Sequence, residues 1–130
     1  DHDLHEWAVL ALQESKMLEE FQSRREKGND RVFEEDFLPV KRFFALDSRA
    51  YDEGEIPQKY KELMGLTASM VLRCDDCILY HIDRSIRKGC TRAELNEAMN
   101  IALIVGGSIV IPHLRKAYHA IDEIFDNKKS

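Results

Sequence analysis

Apolar residues recur at three- and four-residue steps along most of the chain, the period of a helix with one buried face. From Leu4 to Glu26 the positions Leu4, Trp7, Ala8, Ala11, Leu12, Leu18 and Phe21 form one such stripe, and Gly28-Asn29 is expected to end it. A shorter helix is expected from Phe33 to Ala45, with Pro39 either breaking or starting it. The segment from Asp47 to Ile56 has no clear period and reads as a connection.

Pro57 then stands where a first helical residue is favoured, and a helix is expected to about Arg73 with Tyr60, Leu63, Met64, Thr67, Met70 and Val71 facing inward. The next runs from Cys74 to Lys88, with Arg87 and Lys88 in a favourable last turn and Gly89 as its C-terminal cap. Thr91-Arg-Ala-Glu94 is a capping box, the strongest boundary signal in the chain, and opens a helix through Leu95, Ala98, Met99, Ala102 and Leu103. Gly106-Gly107 interrupts it. Ser108 can cap a last helix to about Asp126 through Leu114, Ala117, Tyr118, Ile121 and Ile124, with Pro112 tolerated in its first turn. The expected fold is therefore all-α, a compact bundle of about five to six helices, with antiparallel pairs joined by short loops.

A chain of 130 residues with 44% hydrophobic content can form one domain with a genuine core. Within that domain, residues 1–50 read as a helical extension without a matched motif and residues 57–125 as the motif-bearing core. The formal net charge of −5 arises from interspersed signs, unlike the basic footprint of a nucleic-acid binder. The longest apolar stretch, Ile101 to Pro112, is too short for a bilayer, and the N-terminus lacks a signal-peptide layout. No membrane partner and a cytoplasmic location are expected.

Three cysteines do not suggest a disulfide framework, and two of them stand three positions apart. On a helix, Cys74, Cys77 and His81 fall within roughly 60° of one another. The positive end of the helix dipole favours a thiolate, and a Cys-x-x-Cys spacing can lower one thiol's pKa further. A sulfenic acid on one cysteine can then be resolved by the other as a disulfide. Asp75 and Asp76 act in opposite directions, stabilising the helix start while repelling a thiolate, and sequence does not give the sign of the balance. His81 is a suitable proton carrier once a partner sets its tautomer.

Lys61-Glu62-Leu63-Met64-Gly65-Leu66, Cys74-Asp75-Asp76-Cys77-Ile78-Leu79-Tyr80-His81, Gly89-Cys90-Thr91-Arg92-Ala93-Glu94 and Gly106-Gly107 together resemble the carboxymuconolactone decarboxylase and alkylhydroperoxidase D superfamily. The combination of a Glu twelve residues before the first Cys with a His four after the second is what makes the resemblance specific. It implies that Glu62 belongs to the site, and a proton relay in which Glu62 and His81 help to deprotonate a cysteine that reduces a hydroperoxide. Cys77 is favoured as the attacking thiol, one helical turn from His81, with Cys74 resolving; the reverse assignment remains open. Members with demonstrated peroxidase chemistry carry a His immediately before the second Cys, where this chain has Asp76. The resemblance also implies a trimer or hexamer.

The expected function is thus thiol oxidoreduction on a small hydroperoxide or disulfide, recycled by a thiol reductant or redox partner protein, with no organic cofactor and no metal. A non-redox reaction of the decarboxylase type, with Glu62 and His81 as acid and base, is the alternative. A third reading is a structural or zinc-binding subunit in which Glu62 or His113 supplies a fourth ligand, although ligands on a single helical face are unusual for structural zinc. His113 and His119 read as packing or surface residues, His113 with a supporting place beside the site open to it. Cys90 reads as a bystander, and Trp7, Phe21, Phe43, Phe44 and Tyr118 as core or interface packing.

Overall fold

The computed structural model describes the backbone from His2 to Asp126 and side chains from Glu6 onward. It is all-α among these residues: α1 (His2–Glu14), α2 (Lys16–Glu34), α3 (Leu38–Ala50), α4 (Gln58–Val71), α5 (Asp75–Arg87), α6 (Arg92–Gly106) and α7 (Ile111–Phe125), with a 3-10 turn at Ser108–Val110. Seven helices exceed the five to six expected because the first stripe is two helices. Ser15 divides it by accepting the Leu18 N–H as the N-cap of α2 and donating its hydroxyl to Glu123 on α7 at 2.6 Å. The partner that makes the break is thus supplied by the other end of the chain.

Gly28-Asn29 does not end a helix. α2 runs through it to Glu34, because Gly28 lies in open space where no side chain is required and only a modest propensity cost applies. The chain turns instead at Asp36, in left-handed backbone with φ 57°. Phe33 consequently belongs to α2, and Pro39 lies in the first turn of α3, which extends to Ala50. Pro57 is the N-cap of α4 rather than its first residue. The Thr91–Glu94 capping box forms with both reciprocal bonds, and Gly89 adopts φ +95° at the end of α5. Ser108 opens the 3-10 turn without a capping side chain.

α5 occupies the middle of the molecule, with α4 on one side and α1 and α7 on the other; α4 packs in turn on α6. Leu12, Leu18, Leu66, Met70, Ile78, Ile82, Ile86, Leu95, Met99, Ile121 and Ile124 are buried where these helices meet. Each fully buried Leu or Ile stabilises the fold by ~1.5–3 kcal/mol. The expected stripes of α1, α2, α6 and α7 agree with this core, while Leu4 lies outside the described side chains. Tyr60 and Met64 do not agree: both are exposed, because α5 and α6 cover the opposite faces of α4. The arm formed by α3 and the distal part of α2 stands apart from the core, and α3 has no buried residue.

Candidate active site

Glu62 and His81 meet where α4 crosses α5. The Nδ1–H of His81 donates to Glu62 Oε1 at 3.0 Å, with Glu62 3% and His81 8% exposed. The crossing needs Gly65: a Cβ there would lie 2.6 Å from His81 Cε1. A glycine inside a helix costs about 1 kcal/mol relative to alanine, and here it admits the imidazole. Arg84 Nε lies 3.9 Å from the second Glu62 oxygen, so the buried carboxylate faces a cation as well as the imidazole.

With Nδ1 committed to the carboxylate, Nε2 is the ring nitrogen left to exchange a proton. Tyr51, in the connection after α3, places its hydroxyl 3.4 Å from Nε2 and its ring 5.4 Å from the imidazole. Burial pushes the Tyr51 pKa up, and the Glu62 carboxylate adds to the shift, so the phenol is held protonated. Tyr80 packs edge-on against the other side of His81 at 5.1 Å.

Cys74 and Cys77 are joined as a disulfide with their Cα atoms 5.2 Å apart. Arg73, at φ 60°, makes the tight turn out of α4 that delivers Cys74 to the N-cap of α5. There the Cys74 sulfur accepts the Cys77 N–H at 3.3 Å, in the field of the unsatisfied amides of a helix start. Cys77 is the more exposed of the two and lines a cleft of about 430 Å³ with His81, Tyr80, Phe21, Arg25 and Gly28. The Arg25 guanidinium covers Tyr80 at 4.4 Å.

The two aspartates of the motif differ. Asp75 is held by α7, accepting from His113 Nδ1 at 2.6 Å and from Lys116 Nζ at 2.8 Å. Burial pushes the Asp75 carboxyl up, but these bonds outweigh it and keep its pKa below the ordinary carboxylate value. Asp76 is exposed, with the distant edge of Arg24 at 3.9 Å.

The structure brings Glu62 together with His81, and Cys74 with Cys77. His113 belongs to Asp75, not to the cysteines, and His119 is on the surface beside Glu123. Among the described residues no group of three His, Cys, Asp or Glu is arranged to hold a metal ion. Cys90 is buried, and burial pushes its thiol up to about 12. Tyr51, Gly65, Arg84, Tyr80 and Arg25 are site residues that the sequence did not single out. Gly65 carried a signal, since a glycine mid-helix often marks a close approach; Tyr51, in an aperiodic connection, carried none.

The match to the carboxymuconolactone decarboxylase family model covers residues 40–120. The chain belongs to this family. It is 31% identical over 82 residues to an uncharacterized protein of Cupriavidus necator, covering 63% of this chain and 73% of that one. To an uncharacterized protein from the cox locus of Paracoccus denitrificans it is 28% identical over the same length, covering 63% and 74%. Two crystal structures of a Thermotoga maritima protein share 50% sequence identity with it and superpose with TM-scores of 0.81 and 0.79, covering 85% of this chain and 96% and 93% of theirs. That protein is described as a family member with a possible part in an antioxidative response. The family match begins within α3, so α4 to α6 and most of α7 lie inside it, with Tyr51, Glu62, Cys74, Cys77 and His81.

Proposed function

We propose that the protein is a thiol-dependent oxidoreductase of the alkylhydroperoxidase type, reducing a small hydroperoxide or a disulfide. The observation that carries this reading is the single cleft into which both Cys77 and His81 open, with His81 oriented from behind by a buried carboxylate. In the dithiol form, Nε2 of His81 takes the proton of Cys77, and the Tyr51 hydroxyl oxygen can then accept a hydrogen bond from the new Nε2–H. The Cys77 thiolate attacks the hydroperoxide, the O–O bond breaks, and the alcohol leaves with a proton, giving a sulfenic acid. Cys74 then attacks the Cys77 sulfur and water departs. The resulting disulfide is reduced by a thiol or a redox partner protein, which supplies two electrons and two protons. Attack on a substrate disulfide follows the same order through a mixed disulfide.

The antioxidative description of the Thermotoga maritima relative supports this reading. We place the protein in the cytoplasm; among the described residues no helix is long and apolar enough to cross a membrane. We also propose a homo-oligomer, a trimer or hexamer as the family resemblance implies. Two apolar faces support assembly: Ile101, Ile104 and Val105 on α6, with Ile104 75% exposed, and Phe37, Phe43 and Leu46 on the arm.

The buried Glu62–His81 pair also favours a second reading, acid–base chemistry of the decarboxylase type without thiol participation. Cys77→Ser separates the two. Under the thiol reading, adding hydroperoxide to the reduced wild type removes the mass of two hydrogens and two titratable thiols, and Cys77→Ser abolishes turnover. Turnover retained by Cys77→Ser would sink the thiol reading and leave the acid–base one.

A further inference from the structure

Both aspartates between the cysteines oppose thiolate formation by charge, yet the structure treats them differently. The Asp75 carboxylate, next in sequence to Cys74, is engaged by two groups from α7, and each of its oxygens has its own donor. Asp76 projects into solvent, where screening weakens its field, and Arg24 is its distant neighbour. The Cys74 sulfur meanwhile sits on the amide end of α5. Neutralising Asp75 leaves the helix terminus as the dominant local field at that sulfur.

We infer that His113 and Lys116 are positioning residues for the redox pair: by cancelling the Asp75 charge and fixing the first turn of α5 on α7, they stabilise the Cys74 thiolate and raise the reduction potential of the Cys74–Cys77 disulfide. The inference rests on the reading of that pair as redox-active. Its electrostatic sense follows from the reaction. Reduction of the disulfide by a dithiol breaks the S–S bond, transfers two electrons and leaves negative charge on whichever sulfur is ionised. Any group that stabilises that charge favours the reduced state, and any uncompensated carboxylate beside it favours the disulfide. His113 acts through Asp75 and touches no reacting atom, and Lys116 does the same from the surface end of the cluster.

The measurement is the equilibrium of the full-length protein with dithiothreitol redox buffers at fixed pH, read by intact mass after acid quench, together with the pH dependence of thiol alkylation. Lys116→Ala is expected to shift the equilibrium about fivefold toward disulfide, equivalent to roughly 20 mV for a two-electron couple, and to move alkylation to higher pH. His113→Gln, which replaces the short Nδ1 contact to Asp75 Oδ1 with a weaker amide one, shifts it in the same direction. Asp75→Asn shifts it the opposite way, because the carboxylate charge that opposes a thiolate at Cys74 is then gone. In the Asp75→Asn background, Lys116→Ala has at most a small effect. Arg115→Ala, which removes an exposed charge from the same helix, leaves the equilibrium unchanged. Lys116 is largely exposed, so its replacement does not put folding at risk.

A wild-type pair that equilibrates while Lys116→Ala and His113→Gln keep its midpoint overturns the inference alone. So does a Lys116→Ala shift of equal size with and without Asp75. A wild-type pair that holds no equilibrium with dithiothreitol at all overturns the thiol reading itself.

Discussion

Two regions face each other across the cleft that contains Cys77. On one side, α4 and α5 hold Glu62 and His81 inside the core, with Gly65 bringing the helices close enough for the ring to be clasped. On the other, Arg25 and Gly28 from α2 and Asp47 from α3 line the same cleft from an arm with almost no core of its own. The arm's internal support is a small aromatic cluster, Phe33 on Phe44 at 4.9 Å and Phe43 on Phe44 at 6.4 Å. Pairs of this kind add about 0.5–1.5 kcal/mol each beyond burial. The Glu62–His81 hydrogen bond is therefore set on a wall that belongs to the core, and the facing wall on an arm with little core behind it. Under the proposed function, that division suits a site whose chemistry needs fixed hydrogen bonds but whose substrate must enter and leave.

Gly65→Ala attacks the core wall most severely. The added methyl meets the imidazole at 2.6 Å, so either His81 swings away from Glu62 or the helices part. Overpacking of this kind costs ~1–3 kcal/mol, and we expect hydroperoxide-driven disulfide formation to fall by at least about 100-fold, the lower range for losing positioned acid–base catalysis. Thermal unfolding and the rate of thiol loss measure the two effects. A variant with wild-type rate would mean that the clasp is irrelevant to the chemistry.

Glu62→Gln tests the same wall without the steric insult. The amide keeps a hydrogen bond to Nδ1 but no longer offers a carboxylate to orient and stabilise a protonated imidazole. The rate should fall by about 100-fold with the helical signal retained. Tyr51→Phe, at the point where the connection from the arm touches the relay, should have a milder effect, about fivefold in rate. Its hydroxyl hydrogen bond is long, 3.4 Å, and His81 keeps its inner partner.

Which parts were legible in the sequence follows the same contrast. The Glu62 and His81 positions were found through the spacing of a recognised motif, and the capping box marked the start of α6 because its reciprocal bonds involve only residues three apart. The break at Ser15 was not legible: its partner, Glu123, lies 108 residues away and no local pattern reports it. The arm was misread for the opposite reason. A helix with few tertiary partners can run through Gly28 and then turn at Asp36, where no glycine marks the left-handed backbone. On α4, apolar residues surround the helix, so the period alone did not tell the faces of Met64 and Met70 apart; α5 and α6 cover only one of them.

The arm also makes the opposite prediction from the core. Phe43, 67% exposed, packs edge-on against Phe44 alone of the arm's aromatic cluster, so replacing it costs the subunit no more than about 0.5–1.5 kcal/mol. Phe43→Ser should therefore leave the helical content intact while lowering the mass of the assembly measured by light scattering. The same substitution with both mass and unfolding unchanged would remove the arm from the proposed interface, leaving the α6 face to carry it.

The smallest effect concerns Cys90, which separates a thiol made inert by the core from the pair left open to the cleft. Burial, reinforced by the Glu94 carboxylate, pushes its pKa from 9.0 to about 12. At pH 8 a short alkylation of the reduced native protein should label Cys74 and Cys77 and spare Cys90, whereas all three react after unfolding. The raised pKa also has a stability consequence. Between about pH 9 and 12 the unfolded chain loses the Cys90 proton while the folded chain keeps it, so the folded state binds more protons and stability falls as pH rises through that window. Cys90→Ala should flatten this part of the stability curve and leave the peroxide-driven dithiol-to-disulfide conversion at its wild-type rate. Equal alkylation of all three thiols in the native protein would break the distinction, because it would require the α5–α6 junction to open as readily as the cleft does.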